Sequence, residues 1–382
     1  MAFLNCWRIR LSRFVERIRT SLGARNPQPA SLVGAPKAPR IEYTIGSFVV
    51  YGGMSRPVHH FKSGDVVEVL SIEEIAATLD ATGSYEGIPF MDEMHQFCGR
   101  RFRVFKRADK ICVETPYFLD LRRLRNAVTL EEVRCDGGDH DGCKRMCLVF
   151  WKEAWLKPAM HDATPERPID WINVLAGRKS SAPSPIDPDK TYSCQATALA
   201  QATEPLRMWD VRHYVRDLRS RALRPRELAK ALFTTVYNKV SRARGGRDFG
   251  MLVGNEQKTP AASLGLVPGE RVRIKDKEQV VKTLDANGKN RGMYFGNEEA
   301  SRHCGSTFPV LTSIDRMILE DSGKMRAITN TVLLQGTACS GLCFQGCARN
   351  GHPMWREVWL ERTGESPATS GAPVSPDPAA AT

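Results

Sequence analysis

Eleven cysteines stand among 382 residues, and six of them fall into two matching trios. Cys98, Cys135 and Cys143 recur in order as Cys304, Cys339 and Cys347, each trio combining a Cys-Gly pair with a downstream C-x7-C. Thiolates at such spacing are ligands for zinc or for an iron–sulfur cluster, because several soft anions converge on a cation that offsets their mutual repulsion. A closed zinc site takes four ligands. In the first trio the fourth is open among His140, Cys147 and Cys112, and in the second between Cys343 and His303. Gly137 and Gly142, matched by Gly341 and Gly346, let each C-x7-C loop curl around an ion. Zinc is preferred, since a stabilising site suits a small module. The iron–sulfur alternative rests on Cys339-x3-Cys343-x3-Cys347 with Cys304 as a further thiolate, a set suited to redox or Lewis-acid chemistry, although the spacing is not a ferredoxin one. Any single cysteine also reads as a small buried hydrophobe.

Other candidate chemistry is thinner. Trp151, Glu153 and Trp155 are matched by Trp355, Glu357 and Trp359, and the tryptophan spacing fits one face of a helix packed into a core. Cys194 would need a basic neighbour to become a nucleophile, and only His213 is near it in sequence. His59-His60 is either a metal ligand pair or exposed. The chain has no G-x-G-x-x-G after a strand, no Walker A loop, no H-E-x-x-H and no G-x-S-x-G, so nucleotide-binding and hydrolase readings lose their usual support.

The elements that must position the trios are themselves repeated. Residues 64–94 match 269–299 at 11 of 31 positions without gaps, and residues 135–156 match 339–360 at nine of 22. Alternation at Val67 and Val69, and at Val272 and Ile274, predicts a strand in each copy. A helix should follow, opened by Ser71 with Glu74 and by Asp276 with Gln279, burying Ile75, Ala76 and Leu79 or Val280, Val281 and Leu284, and ended by Gly83 or Gly288. Further strands are expected at 102–105, 111–113, 128–133 and 331–334, with the W-x-E-x-W-L segments helical. Between the copies, residues 208–243 read as two helices split at Pro225, the second with Leu228, Leu232, Val236 and Val240 on one face.

The expected fold is α+β: two related small α/β or barrel-like Cys-rich modules, an internal duplication, joined by a helical connector. The chain divides into a basic amphipathic arm and linker (1–40), module 1 (60–157), a Pro-rich linker (158–190), a basic helical connector (191–247), module 2 (262–362) and a disordered tail (363–382). The net charge of +12 is concentrated: eight Lys/Arg face one acid in residues 1–40, and twelve face three in residues 206–247. Those segments, 1–25 and 206–247, suit an acidic partner or an anionic membrane surface, with nucleic acid a less favoured third choice. No apolar run is long enough to span a bilayer. Arg8, Arg10, Arg13, Arg17 and Arg19 interrupt any secretory signal, so the reading is cytoplasmic with reduced thiols, a peripheral membrane contact left open.

The runs GDVVEV, ATLD, CGRRFRV, RCDG, YSCQAT, FWKEAWL and WREVWL resemble those of an uncharacterised bacterial protein family with a duplicated Cys-rich module. The similarity covers roughly residues 60–362. It implies cysteines at Cys98, Cys112, Cys135, Cys143 and Cys147 in the first module, and an accessory or catalytic part in polysaccharide or specialised-metabolite biosynthesis. Cys343 departs from the family pattern, which weakens the compact cluster.

Overall fold

Val67 and Val69 turn inward on their strand and are fully buried, while Glu68 between them turns out to Arg101 at 2.9 Å and Lys157 at 2.8 Å. That alternation makes Val66–Val69 an inner strand of a five-stranded antiparallel sheet. The sheet order is Leu148–Lys152, Ala127–Arg134, Arg101–Arg107, Val66–Val69, Leu156–Pro158. A second sheet repeats the order with Trp355–Arg356, Thr331–Leu334, Thr307–Ser313, Arg271–Ile274 and Leu360–Arg362. The protein is thus a mixed α+β chain. The computed structural model describes residues 48–51, 54–57, 59–114, 119–160, 164–177, 185–207, 210–296, 298–342 and 345–363, all within one compact unit. The basic arm 1–25, the linker to residue 40, the tail and Cys343 lie outside the described residues.

In each sheet the two edge strands come from one segment, separated only by a three-residue 3-10 turn, Glu153–Trp155 or Glu357–Trp359. Three residues span at most about 10 Å, so each sheet must roll until its edges nearly meet. The ladders slip one residue at Phe105 and at Leu311, and such bulges help the strands bend.

The W-x-E-x-W-L segments are therefore strand, turn and strand, where a helix was expected. The reason lies in what the side chains reach. The four tryptophans are at most 1% exposed. Trp155 Nε1 donates to Thr78 Oγ1 and Trp359 Nε1 to Thr283 Oγ1, both at 3.0 Å. Those hydroxyls in turn donate to the carbonyls of Ile75 and Val280 at 2.7 Å, at the ends of short helices Ile72–Ala76 and Lys277–Val281. The helices start as expected, Ser71 and Glu74 forming a reciprocal cap and Gln279 accepting from the Asp276 N–H. They stop well before Gly83 and Gly288, because Asp80 and Asp285 fold the next residues into side-chain-capped turns. Phe90 and Phe295 set their edges against both tryptophans of their modules. Glu153 accepts from the Phe61 N–H at 3.2 Å and Glu357 from the Gly265 N–H at 3.2 Å, each tethering the chain that enters its module.

The modules also touch each other directly. Leu311, Ile314, Leu333, Cys347 and Ala348 join the first module's core. The contacts run in matched pairs: the Ala348 N–H donates to the Lys110 carbonyl at 2.9 Å and the Lys144 N–H to the Arg316 carbonyl at 3.1 Å. Likewise the Arg349 guanidinium donates to the Cys112 carbonyl at 3.0 Å and that of Arg145 to the Ile318 carbonyl at 3.4 Å. Each bond of one pair is the other with the modules exchanged, as in a two-fold interface between identical subunits.

Between the modules, the Gln195 side chain grips Phe150 through N–H and carbonyl at 2.8 and 2.9 Å, which ties helix Gln195–Ala202 to an edge strand. Helices Arg212–Arg219 and Pro225–Ala243 follow, split at Pro225 as expected. The second buries Ala231 and Thr234 and leaves Leu232, Phe233, Val236, Tyr237 and Val240 exposed. Its apolar stripe thus faces away from the core.

Candidate metal centre

Three side chains of module 1 converge. Glu93 sits on the 3-10 turn Asp92–Phe97, Cys135 follows the strand Ala127–Arg134, and His140 lies inside the C-x7-C loop. One ligand atom of each lies within 4.8 Å of the other two, the one such group among the described residues. Glu93 and His140 are buried and Cys135 half-buried. This Glu/Cys/His cluster could hold a metal ion.

The loop geometry that brings His140 round depends on Gly137. Its φ is +69°, and a Cβ there would meet the Cys143 carbonyl oxygen at 1.9 Å. The loop closes with the His140 and Gly142 N–H groups on the Gly137 carbonyl and the Cys143 N–H on the His140 carbonyl. Gly341 repeats this, with φ +80° and the Cys347 carbonyl at 2.1 Å from a Cβ.

Glu93 Oε1 contacts His140 Nδ1, accepts from the Asp139 N–H at 3.3 Å and lies 3.7 Å from Cys135 Sγ. Its other oxygen, Oε2, is buried without a hydrogen-bond partner. His140 Nε2 lies 3.2 Å from the Ser193 carbonyl, a contact only an N–H satisfies. Burial pushes the Glu93 carboxyl up, but the hydrogen bond and charge of His140 outweigh it and leave the group below its ordinary value. His140 is raised by its bond to Glu93 against the opposing effect of burial. The Cys135 thiol is pushed well up, by burial first and by the Glu93 carboxylate second. An ion in the cluster would reverse that last shift, because a coordinating thiol is deprotonated outright.

Of the nine residues expected to bind metal, the structure brings Cys135 and His140 together and adds Glu93. Cys98 caps the same 3-10 turn and Cys304 packs on the second core, each with a thiol raised chiefly by burial. Cys143 Sγ accepts from the Ile318 N–H at 3.4 Å. Cys147 stays near its loop, where its carbonyl accepts from the Cys135 N–H, and burial pushes its thiol up to about 11. Cys339 Sγ lies 3.6 Å from Glu299 Oε2. Cys347 contacts Cys112 at 3.4 Å, and Cys343 lies outside the described residues. His60 is engaged with Glu153 at 3.3 Å.

Glu93 is one of the 11 repeated identities, but a lone glutamate between Met91 and Met94 carries no ligand signature in the sequence. One residue of slip sets it opposite Glu299, which approaches Cys339 as Glu93 approaches Cys135. Phe344 stands in sequence where His140 would be needed for the same trio. Among the described residues no helix is long and apolar enough to cross a membrane. Compared with family models, curated proteins and solved structures, the chain matches none.

Proposed function

We propose that this chain is an internally duplicated α+β protein whose N-terminal module holds one divalent metal ion, zinc by preference, through a Glu93 oxygen, Cys135 Sγ and His140 Nδ1. One observation carries the reading. With the Nε2 proton committed to the Ser193 carbonyl, Nδ1 of His140 faces a carboxylate oxygen, and the proton that joins them in the ion pair holds the place a metal ion would take on a neutral imidazole. Two acceptors so placed repel unless a proton or a cation lies between them, and the thiol at the same point favours a borderline-soft cation. A ligating histidine whose other nitrogen donates to a backbone carbonyl is the usual outer-shell arrangement. The mixed oxygen, sulfur and nitrogen set suits zinc better than an iron–sulfur cluster, which draws mainly on thiolates.

The buried setting supports an ion that pins the C-x7-C loop to the turn carrying Glu93, with three protein ligands and a fourth position left to a small molecule such as water. We accordingly read the protein as an accessory component of the biosynthetic pathway to which its resemblance points, and the matched inter-module bonds support duplication as its origin. The test is metal content of the full chain, by elemental analysis after reconstitution with zinc, for the parent and for Glu93→Gln, Cys135→Ser and His140→Ala. The expected result is about one zinc per chain in the parent and a loss in each variant. A parent that takes up no zinc, or variants that keep it, would overturn the reading.

A further inference from the structure

Away from the metal cluster, two thiols meet across the module interface. Cys112 lies on the strand Ile111–Glu114 of module 1, Cys347 ends the C-x7-C loop of module 2, and their sulfurs are 3.4 Å apart. A disulfide needs about 2.05 Å, so the two sulfurs have only about 1.4 Å to close. Both residues are held in register. The neighbouring Ala348 N–H is bonded to the Lys110 carbonyl, and Arg349 donates both to the Cys112 carbonyl at 3.0 Å and to Glu320 at 2.8 Å.

We propose that Cys112 and Cys347 form an oxidisable dithiol, a covalent modification site whose reactant is a small peroxide and whose product is a disulfide joining the two modules. Cys347 is the sulfur prepared to attack. The Cys112 N–H points at its Sγ at 3.1 Å. Burial opposes ionisation of Cys347, but the Cys112 thiol, the Arg349 and Cys112 N–H groups and the Arg349 charge together hold it below its ordinary value. Cys112 is pushed the other way, by its bond to Cys347 and then by burial, and stays a thiol. Cys347 is 4% exposed and Cys112 half-buried, so only a small oxidant reaches the pair.

The chemistry balances in two steps. The Cys347 thiolate attacks one peroxide oxygen, the O–O bond breaks, and a sulfenic acid and hydroxide form. Cys112 sulfur then displaces the sulfenic oxygen, forming the S–S bond, and its proton leaves with that oxygen as water. Two thiols are oxidised by two electrons and one hydrogen peroxide is reduced to two waters. The exchanged position cannot do this, because there Cys143 faces Ile318.

The experiment treats the full chain with hydrogen peroxide, blocks free thiols and maps tryptic peptides without reductant. The expected product links the peptide 111–122 to the peptide 327–349, with fragmentation placing the bond on Cys347 and not on Cys339 or Cys343. The link should vanish in Cys112→Ser and in Cys347→Ser, persist in Cys143→Ser, and leave zinc content unchanged in all three. Oxidation that leaves Cys112 and Cys347 unlinked in the parent, or bonds placed on other cysteines, would overturn the proposal. So would loss of zinc from Cys347→Ser, which would make that thiol a ligand. The parent map alone decides the first two outcomes, whether or not a variant folds.

Discussion

The two modules share their scaffold and differ in their chemistry. Each rolls a five-stranded sheet of the same order, buries two tryptophans, anchors an indole N–H on a threonine at a helix end, and turns on an aspartate. Each also curls its C-x7-C loop on a glycine of positive φ. Where module 1 has His140, Cys147 and Leu148, however, module 2 has Phe344, Gly351 and His352. The lesson is that a repeated residue does not by itself carry the chemistry: Cys135 and Cys143 recur as Cys339 and Cys347, and the unrepeated neighbours decide what each thiol meets. Cys135 and Cys339 illustrate this: both stand beside a glutamate, but only the first also has a histidine within ligand distance among the described residues.

The comparison can be broken most forcefully at the tryptophans. Trp155→Ala and Trp359→Ala each remove a fully buried indole together with its bond to threonine, and each should cost about 3–5 kcal/mol in urea unfolding. A small effect at one site beside a large one at the other would show that the scaffolds are not equivalent.

A sharper difference of similar size should appear in acid. His352 takes the place of Leu148, which is buried at 4% exposure. Burial first, and the Arg134 charge second, hold the His352 imidazole down to about 3. Unfolded, it titrates near 6.5, so between those values the unfolded chain binds more protons than the folded one. Its contribution is therefore intact above pH 6.5 and is lost as pH falls toward 3, on the order of 4–5 kcal/mol in all. Replacing the residue by the one module 1 uses, His352→Leu, should flatten the stability profile across that window. Denaturant titrations at a series of pH values measure it, and an unchanged slope would count against a buried neutral imidazole. The smallest effect is expected at the indole anchors: Thr78→Val and Thr283→Val should each cost about 1 kcal/mol, equally in both modules.

Much of the local structure was legible in the amino-acid order because its causes are local. Val67 with Val69, Val272 with Ile274, the Ser71–Glu74 cap and the break at Pro225 all involve residues within a few positions of one another. The W-x-E-x-W-L segments were misjudged for the opposite reason. Their spacing suits a helix as well as a strand–turn–strand, and the deciding bonds run to Thr78 and Thr283, more than seventy residues away. The exposed stripe of helix Pro225–Ala243 was equally hidden, since periodicity reports that a helix has an apolar face and not which way it is turned.

The Glu93, Cys135 and His140 cluster divides along the same line. Cys135 and His140 stood out as ligand types at a plausible spacing, and the glycines that curl their loop were visible beside them. Glu93 was not, because the distance from residue 93 to residue 140 is covered by strands whose register only folding sets. Nor could spacing reveal that Cys347 belongs with Cys112, 235 residues back and in the other module. Sequence alone determined which blocks recur in order, which residue types each carries, and where short-range caps fall, since those depend on neighbours along the chain. Tertiary structure decided which thiols meet, which glutamate joins Cys135 and His140 and which face each helix buries, because these follow from rolling two sheets and pressing them together, a geometry that no single segment encodes.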